Sequence, residues 1–122
     1  MQGIPKGLSG KPAIAIAKEA AIRAGEMLME RFSDVKAVSY KGRGNIVTDV
    51  DLAVEKEVLS FLEDEYPDFN MLGEESAKEP ADTGYVWIVD PLDGTRNYAS
   101  GIPFFSTVVG LAKDGEVLVG VN

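Results

Sequence analysis

The chain reads as an α+β domain: a mixed, largely antiparallel sheet with two long helices on one face. Three observations predict it. Apolar residues recur at three- and four-residue spacing over two separate stretches, short apolar runs with strand character follow from residue 69 onward, and Asp114-Gly115 marks a hairpin turn. With 122 residues, 45% hydrophobic and 26% charged, the composition suits one packed globular domain.

The first ten residues carry three Gly and a Pro and read as a loose arm. Ile14, Ala17, Ala21, Ala24, Leu28 and Phe32 then define an amphipathic helix. Pro12 suits its first turn, and its Ala-rich face allows close packing on another helix. Residues 37–40 give a strand signal and lead into Lys41-Gly42-Arg43-Gly44-Asn45, either an anion-meeting loop or a solvated turn. Thr48 is an N-cap with Asp51 at the third helical position, opening a second helix that runs to about Glu65 before Tyr66-Pro67 stops it.

On that helix Val50, Val54, Val58, Phe61, Leu62 and Tyr66 form the buried face, with Asp51 near its middle and Glu55 one turn later. Asp51 is open to two readings, a capping acid or an acid facing an internal polar site. Strands follow at 69–72, 85–89, 104–112 and 116–121, with a loop over 78–84. Val86, Ile88, Val108 and Leu118 are expected in the sheet, whose other face is left apolar.

Charge and missing residue types narrow the chemistry. A formal charge of -8, from twenty acids and twelve bases, repels a polyanion, so no nucleic-acid partner is expected and divalent cations are the natural counter-ions. The chain has no Cys and no His, which excludes disulfides, thiolate metal sites, thiol nucleophiles and imidazole bases. Only oxygen ligands remain. The apolar stretches are too short to span a membrane and Met1 to Gly7 lacks the apolar core of a signal peptide, so a cytoplasmic protein is expected.

The chemistry-bearing stretch is Trp87-Ile88-Val89-Asp90-Pro91-Leu92-Asp93-Gly94-Thr95, a strand ending in two carboxylates and a Gly-Thr pair. Gly lets backbone approach an anion, and a short helix opening at Thr95 would turn free N–H groups toward it. A second apolar strand ends in Gly73-Glu74-Glu75-Ser76. If the two strands are neighbours, Glu74, Asp90 and Asp93 form an oxygen-only cluster whose mutual repulsion a hard cation relieves. The spacing does not fit a calcium loop, because counting from Asp90 puts Gly94 fifth and Gly101 twelfth. Nor does it fit the D-x-D-G-T of haloacid-dehalogenase-type phosphatases, being one residue too long.

The run Asp90 to Thr95, with Arg96-Asn97-Tyr98, resembles the D-P-[IL]-D-G-T-x-N-[FY] signature of the inositol monophosphatase family. Gly73-Glu74-Glu75-Ser76 is similar to that family's G-E-E-S element and Val47-Thr48-Asp49-Val50-Asp51 to its V-T-x-x-D element, in the same order. The likeness extends to the magnesium-dependent, lithium-sensitive phosphatases that include fructose-1,6-bisphosphatases. It implies that Glu74, Asp90 and the Leu92 carbonyl hold a first Mg²⁺ and that Asp90 and Asp93 contribute to a second. Asp51 and Thr95 would orient the attacking water, Gly94 and Thr95 amides would bind the phosphate, and Lys41 would lie in the mobile active-site loop near a third metal or the phosphate.

The resemblance also implies a small phosphorylated sugar or cyclitol as substrate, two or three Mg²⁺ per complete site, and a homodimer. Inositol monophosphate and fructose 1,6-bisphosphate are the expected esters, with nucleotide 3′-phosphate or NADP as alternatives. Family members are considerably longer, and their W-D-x-A-x-G element, which supplies another Asp, does not occur here. Residues 1–122 are therefore expected to be the N-terminal metal- and phosphate-binding domain of a longer phosphatase, half of an αβαβα layered sandwich. Alone they would bind Mg²⁺ weakly and turn over little. The competing expectation is a non-catalytic metal-binding or chain-pairing fragment.

Overall fold

The computed structural model describes residues 3–34, 38–40, 46–74 and 84–122, with backbone alone for 38–40 and 46–47. In chain order the elements are α1 (Ala13–Arg31), β1 (Val38–Tyr40), β2 (Ile46–Thr48), α2 (Asp49–Glu65), β3 (Asn70–Gly73), β4 (Tyr85–Asp93), α3 (Thr95–Ala99), β5 (Ser106–Lys113) and β6 (Glu116–Val121). A four-stranded sheet has the order β3-β4-β5-β6, while β1 and β2 pair separately. β3 runs parallel to β4 and the remaining pairings are antiparallel, so the sheet is mixed and mostly antiparallel as predicted.

Alternation along the strands sorts the two faces. Trp87, Val89, Val109, Leu111 and Val119 point into the core beneath α1 and α2, whereas Leu72, Ile88 and Val117 stay exposed on the opposite face. Val86, Ile88, Val108 and Leu118 do lie in the strands, but they are not among the buried core. Trp87 is fully buried and its indole N–H has no partner among the described residues, where shape and area hold it in place. The β5–β6 hairpin turns through Asp114 at φ 50° and Gly115 at φ 83°, the paired left-handed conformation that a two-residue connection demands.

The stripe that α1 buries is Ala13, Ile16, Ala17, Ala20, Ala24 and Leu28. Ile14, placed inside by the sequence, is 42% exposed. With alanine at so many positions, several stripes fit the spacing, and packing selects the one that buries Ile16. The arm before α1 is not loose. Gly7 is buried, Leu8 N–H donates to Glu65 O at 3.0 Å, Ser9 N–H donates to Glu65 Oε1 at 2.9 Å and Tyr66 Oη–H donates to Pro5 O at 2.8 Å. A side chain at position 7 would collide with Glu65 and Ile16, so this glycine marks close approach rather than freedom.

Candidate active site

The site begins with α2. Thr48 caps the helix by accepting from Asp51 N–H at 3.2 Å, and Asp51 Oδ1 accepts in return from Thr48 N–H at 3.0 Å and from the Thr48 hydroxyl. Such a box contributes about 1 kcal/mol. The second Asp51 oxygen, Oδ2, accepts from the Thr95 hydroxyl at 3.0 Å. Asp51, only 4% exposed, is thus the capping acid of α2 and also binds the Thr95 hydroxyl from a second element.

β4 carries the acidic pair across an irregularity. Residues three apart on a regular strand face opposite sides. Here Asp90 pairs with Val108 and Asp93 with Ser106, so Pro91 and Leu92 stand opposite Thr107 alone and the register shifts. This bulge returns Asp93 to the side of Asp90. Proline suits it, since it brings no N–H to the ladder. The buried Thr107 hydroxyl pins it by donating to Pro91 O at 2.9 Å. The sequence placed the strand's end before the acids; it continues through them to Asp93.

The parallel register of Gly73 with Val89 sets the next residues, Glu74 and Asp90, side by side, so that the Glu74 carboxyl acts on that of Asp90. Partial burial and the Glu74 carboxyl push the Asp90 carboxyl up from 3.8 to about 6, with Asp93 adding to the rise and the Leu92 N–H, 3.3 Å from Oδ1, opposing it. Among the described residues no three acidic side chains converge on one ion. Of the predicted trio, Glu74 stands beside Asp90 by strand register, and both Glu74 and Asp93 act on the Asp90 carboxyl electrostatically.

The folded protein holds a proton on this pair that the unfolded chain releases near 3.8. The folded state binds more protons between the two values, so this contribution to stability falls as pH rises through the window. In buffer free of divalent ions, Asp90→Asn should remove that part of the pH dependence from thermal melts spanning about pH 4 to pH 7. Parallel wild-type and mutant profiles would contradict the shift.

The turn after Asp93 is built from the motif's remaining residues. Gly94 sits at φ 99°, where an added Cβ would also come within 3.0 Å of Phe104 O, so both conformation and space require glycine. Thr95 opens α3, its Oγ1 lying 3.0 Å from Asp51 Oδ2 and 3.2 Å from Leu92 O. The hydroxyl has one proton for these two acceptors. Asn97 Nδ2 donates to Phe104 O at 2.9 Å and Tyr98 Oη–H to Leu28 O at 2.6 Å, near the end of α1. Asp93 and Gly94 line a cavity of about 480 Å³ with Asn97 and Pro103 to Ser106. A second, more apolar cavity of about 420 Å³ lies between α1 and the ends of β5 and β6 and shares Phe105 and Ser106 with the first. Lys41, Glu75 and Ser76 fall outside the described residues. Sequence reasoning missed Thr107 and Asn97 as supports; the Pro inside an acidic strand end was the available signal for the bulge.

A model described as the inositol monophosphatase family matches residues 10–121. The chain belongs to that family. Among curated family relatives, it is 38% identical over 112 residues to "Fructose-1,6-bisphosphatase/inositol-1-monophosphatase" of Aquifex aeolicus, covering 90% of this chain and 42% of that protein. It is 37% identical to "Nus factor SuhB" of Haemophilus influenzae, again over 90% of this chain and 42% of the relative. The crystal structure of the extragenic suppressor protein suhB from Bartonella henselae superposes with a TM-score of 0.84 at 36% identity, covering 88% of this chain and 43% of that one. The chain thus spans less than half the length of these relatives. No helix among the described residues is long and apolar enough to cross a membrane.

Proposed function

We propose that the protein is a magnesium-dependent phosphate monoester hydrolase, with residues 1–122 as the N-terminal metal- and phosphate-binding domain of a longer chain. The observation that carries this reading is the meeting of the Glu74 and Asp90 carboxyls beside Asp93, next to a Thr95 hydroxyl bonded to Asp51. Neighbouring carboxylates, in a chain with no Cys and no His, suit a hard, oxygen-seeking cation. Glu74, Asp90 and the Leu92 carbonyl would hold one Mg²⁺, and Asp90 with Asp93 would contribute to a second. A third, near Lys41, belongs to the same proposal. Magnesium so bound supplies positive charge at the phosphoryl oxygens and a lowered pKa for water.

The chain's own groups do the rest. When Thr95 gives its proton to Asp51, its lone pairs are free to accept from the attacking water, and the Leu92 carbonyl is released for a cation. Water aligned in this way attacks phosphorus opposite the ester oxygen, and no side chain becomes phosphorylated. Gly94 and Thr95 amides would hold the phosphate. We favour inositol monophosphate and fructose 1,6-bisphosphate as substrates, on the name of the Aquifex relative. A cytoplasmic homodimer acting on small phosphorylated sugars or cyclitols, without nucleic acid, completes the proposal.

The test is phosphate release by the full-length protein from inositol 1-phosphate, fructose 1,6-bisphosphate, a nucleotide 3′-phosphate and NADP, with Mg²⁺ and with chelator. Magnesium-dependent release from either of the first two is the expected result. Release confined to the last two would move the substrate class, and none from any would overturn the hydrolase reading.

A further inference from the structure

Asp51 is not the only carboxylate that α2 buries. Glu55, one turn later, is 3% exposed, and the proposed chemistry makes no use of it. Burying an ionisable side chain so fully is costly unless it is paired or hydrogen-bonded, so the place of its carboxyl is tightly defined. Glu55 lies beneath the end of β3. A Cβ built on Gly73 would fall 2.5 Å from Glu55 Cδ and 2.6 Å from Oε1, so the carboxyl packs directly on the Gly73 backbone. The backbone at Gly73 is not in the left-handed region, so a side chain there is opposed only by space, and it would have to displace the Glu55 carboxyl.

Gly73 immediately precedes Glu74. Its register partner is Val89, which immediately precedes Asp90, so a shift at Gly73 is passed straight to the carboxyl pair. Strand alternation turns Gly73 toward α2 and Glu74 toward the other side. Glu55 therefore presses on the β3 end from below while Glu74 reaches Asp90 above. One turn earlier Asp51 holds the end of β4 through Thr95. α2 thus engages both strand ends that carry the acids, each through a buried carboxyl.

We propose that Glu55 is a positioning residue for the metal site: its carboxyl, packed on Gly73, holds Glu74 in place against Asp90. This rests on the magnesium-dependent reading above. Groups that orient metal ligands typically change metal affinity by about 10- to 100-fold when altered.

The experiment measures Mg²⁺ binding calorimetrically, the Mg²⁺ concentration at half-maximal rate, substrate KM and melting temperature in the full-length protein. Glu55→Ala and Glu55→Asp, the latter keeping the charge but withdrawing the carboxyl by one carbon, should each weaken Mg²⁺ binding by about tenfold or more. Substrate KM at saturating Mg²⁺ should change far less. Glu55→Gln, of the same shape, should restore most of the affinity. Gly73→Ala should reproduce the defect by displacing the carboxyl, and adding it to Glu55→Ala should make nothing worse. If Glu55→Ala does not fold, the contrast between Asp and Gln at this position decides. A lowered melting temperature with wild-type Mg²⁺ affinity in the Asp and Ala variants would overturn the assignment of Glu55 alone. Absence of Mg²⁺ binding by the wild type would overturn the metal reading and this proposal with it.

Discussion

Glu74→Gln is expected to leave the full-length protein folded and to lower kcat/KM by about three orders of magnitude, because the carboxylate is asked for several kcal/mol of cation-mediated stabilisation. The two effects separate for a physical reason. Glu74 is exposed at the end of β3, so removing its charge uncovers no core. It also relieves Asp90 of the partner that helps push its carboxyl up to about 6. A glutamine amide can donate to a carboxylate, turning mutual repulsion into an ordinary hydrogen bond. Melting temperature in cation-free buffer at neutral pH should therefore equal or exceed that of the wild type, while Mg²⁺ no longer raises it. Such a trade of stability for activity is what a site built of like charges predicts. Near-normal turnover at saturating Mg²⁺ would remove Glu74 from the site.

Much of this arrangement is legible because its parts are contiguous. Asp90 to Thr95 lie on one stretch, and Thr48 with Asp51 is a capping pattern confined to four residues. What strand patterning does not encode is the partner and direction of each strand. Glu74 meets Asp90 only because β3 lies parallel to β4 in a register that pairs Gly73 with Val89. The bulge at Pro91 and Leu92 is signalled along the chain only by its proline, and its register depends on what stands opposite in β5. Glycine misled in one place and helped in others. Gly3, Gly7 and Gly10 together suggest a loose arm, yet Gly7 is there because Glu65 and Ile16 crowd it. Gly94, read as a place where backbone could approach an anion, is required by the fold itself, through its positive φ and the nearness of Phe104 O. Glu55 stood on the predicted buried face of α2, but nothing along the chain tells that a second glycine, Gly73, makes room for it.

Thr95→Ala should lower kcat by about 10²- to 10⁴-fold, the range for losing a positioned proton-transfer group, with little change in KM. The hydroxyl lies between two acceptors, Asp51 Oδ2 at 3.0 Å and Leu92 O at 3.2 Å, and has a single proton. Directed to Asp51, that proton leaves the oxygen able to receive another from water, so the group acts when the nucleophile forms rather than when substrate binds. Alanine keeps the start of α3, where Gly94 supplies the turn and the Thr95 side chain caps nothing. The fold cost should be about 1–3 kcal/mol, for the buried Oδ2 that loses its partner, while Asp51 keeps its bonds to Thr48. Thr95→Ser retains the hydroxyl and should recover most of the rate. This pattern separates a group that serves the water from one that grips the phosphate in the ground state, for which KM would rise while kcat held. A KM effect alone, or a serine variant as slow as alanine, would take Thr95 out of the proton path and leave Asp51 with only its role as the cap of α2.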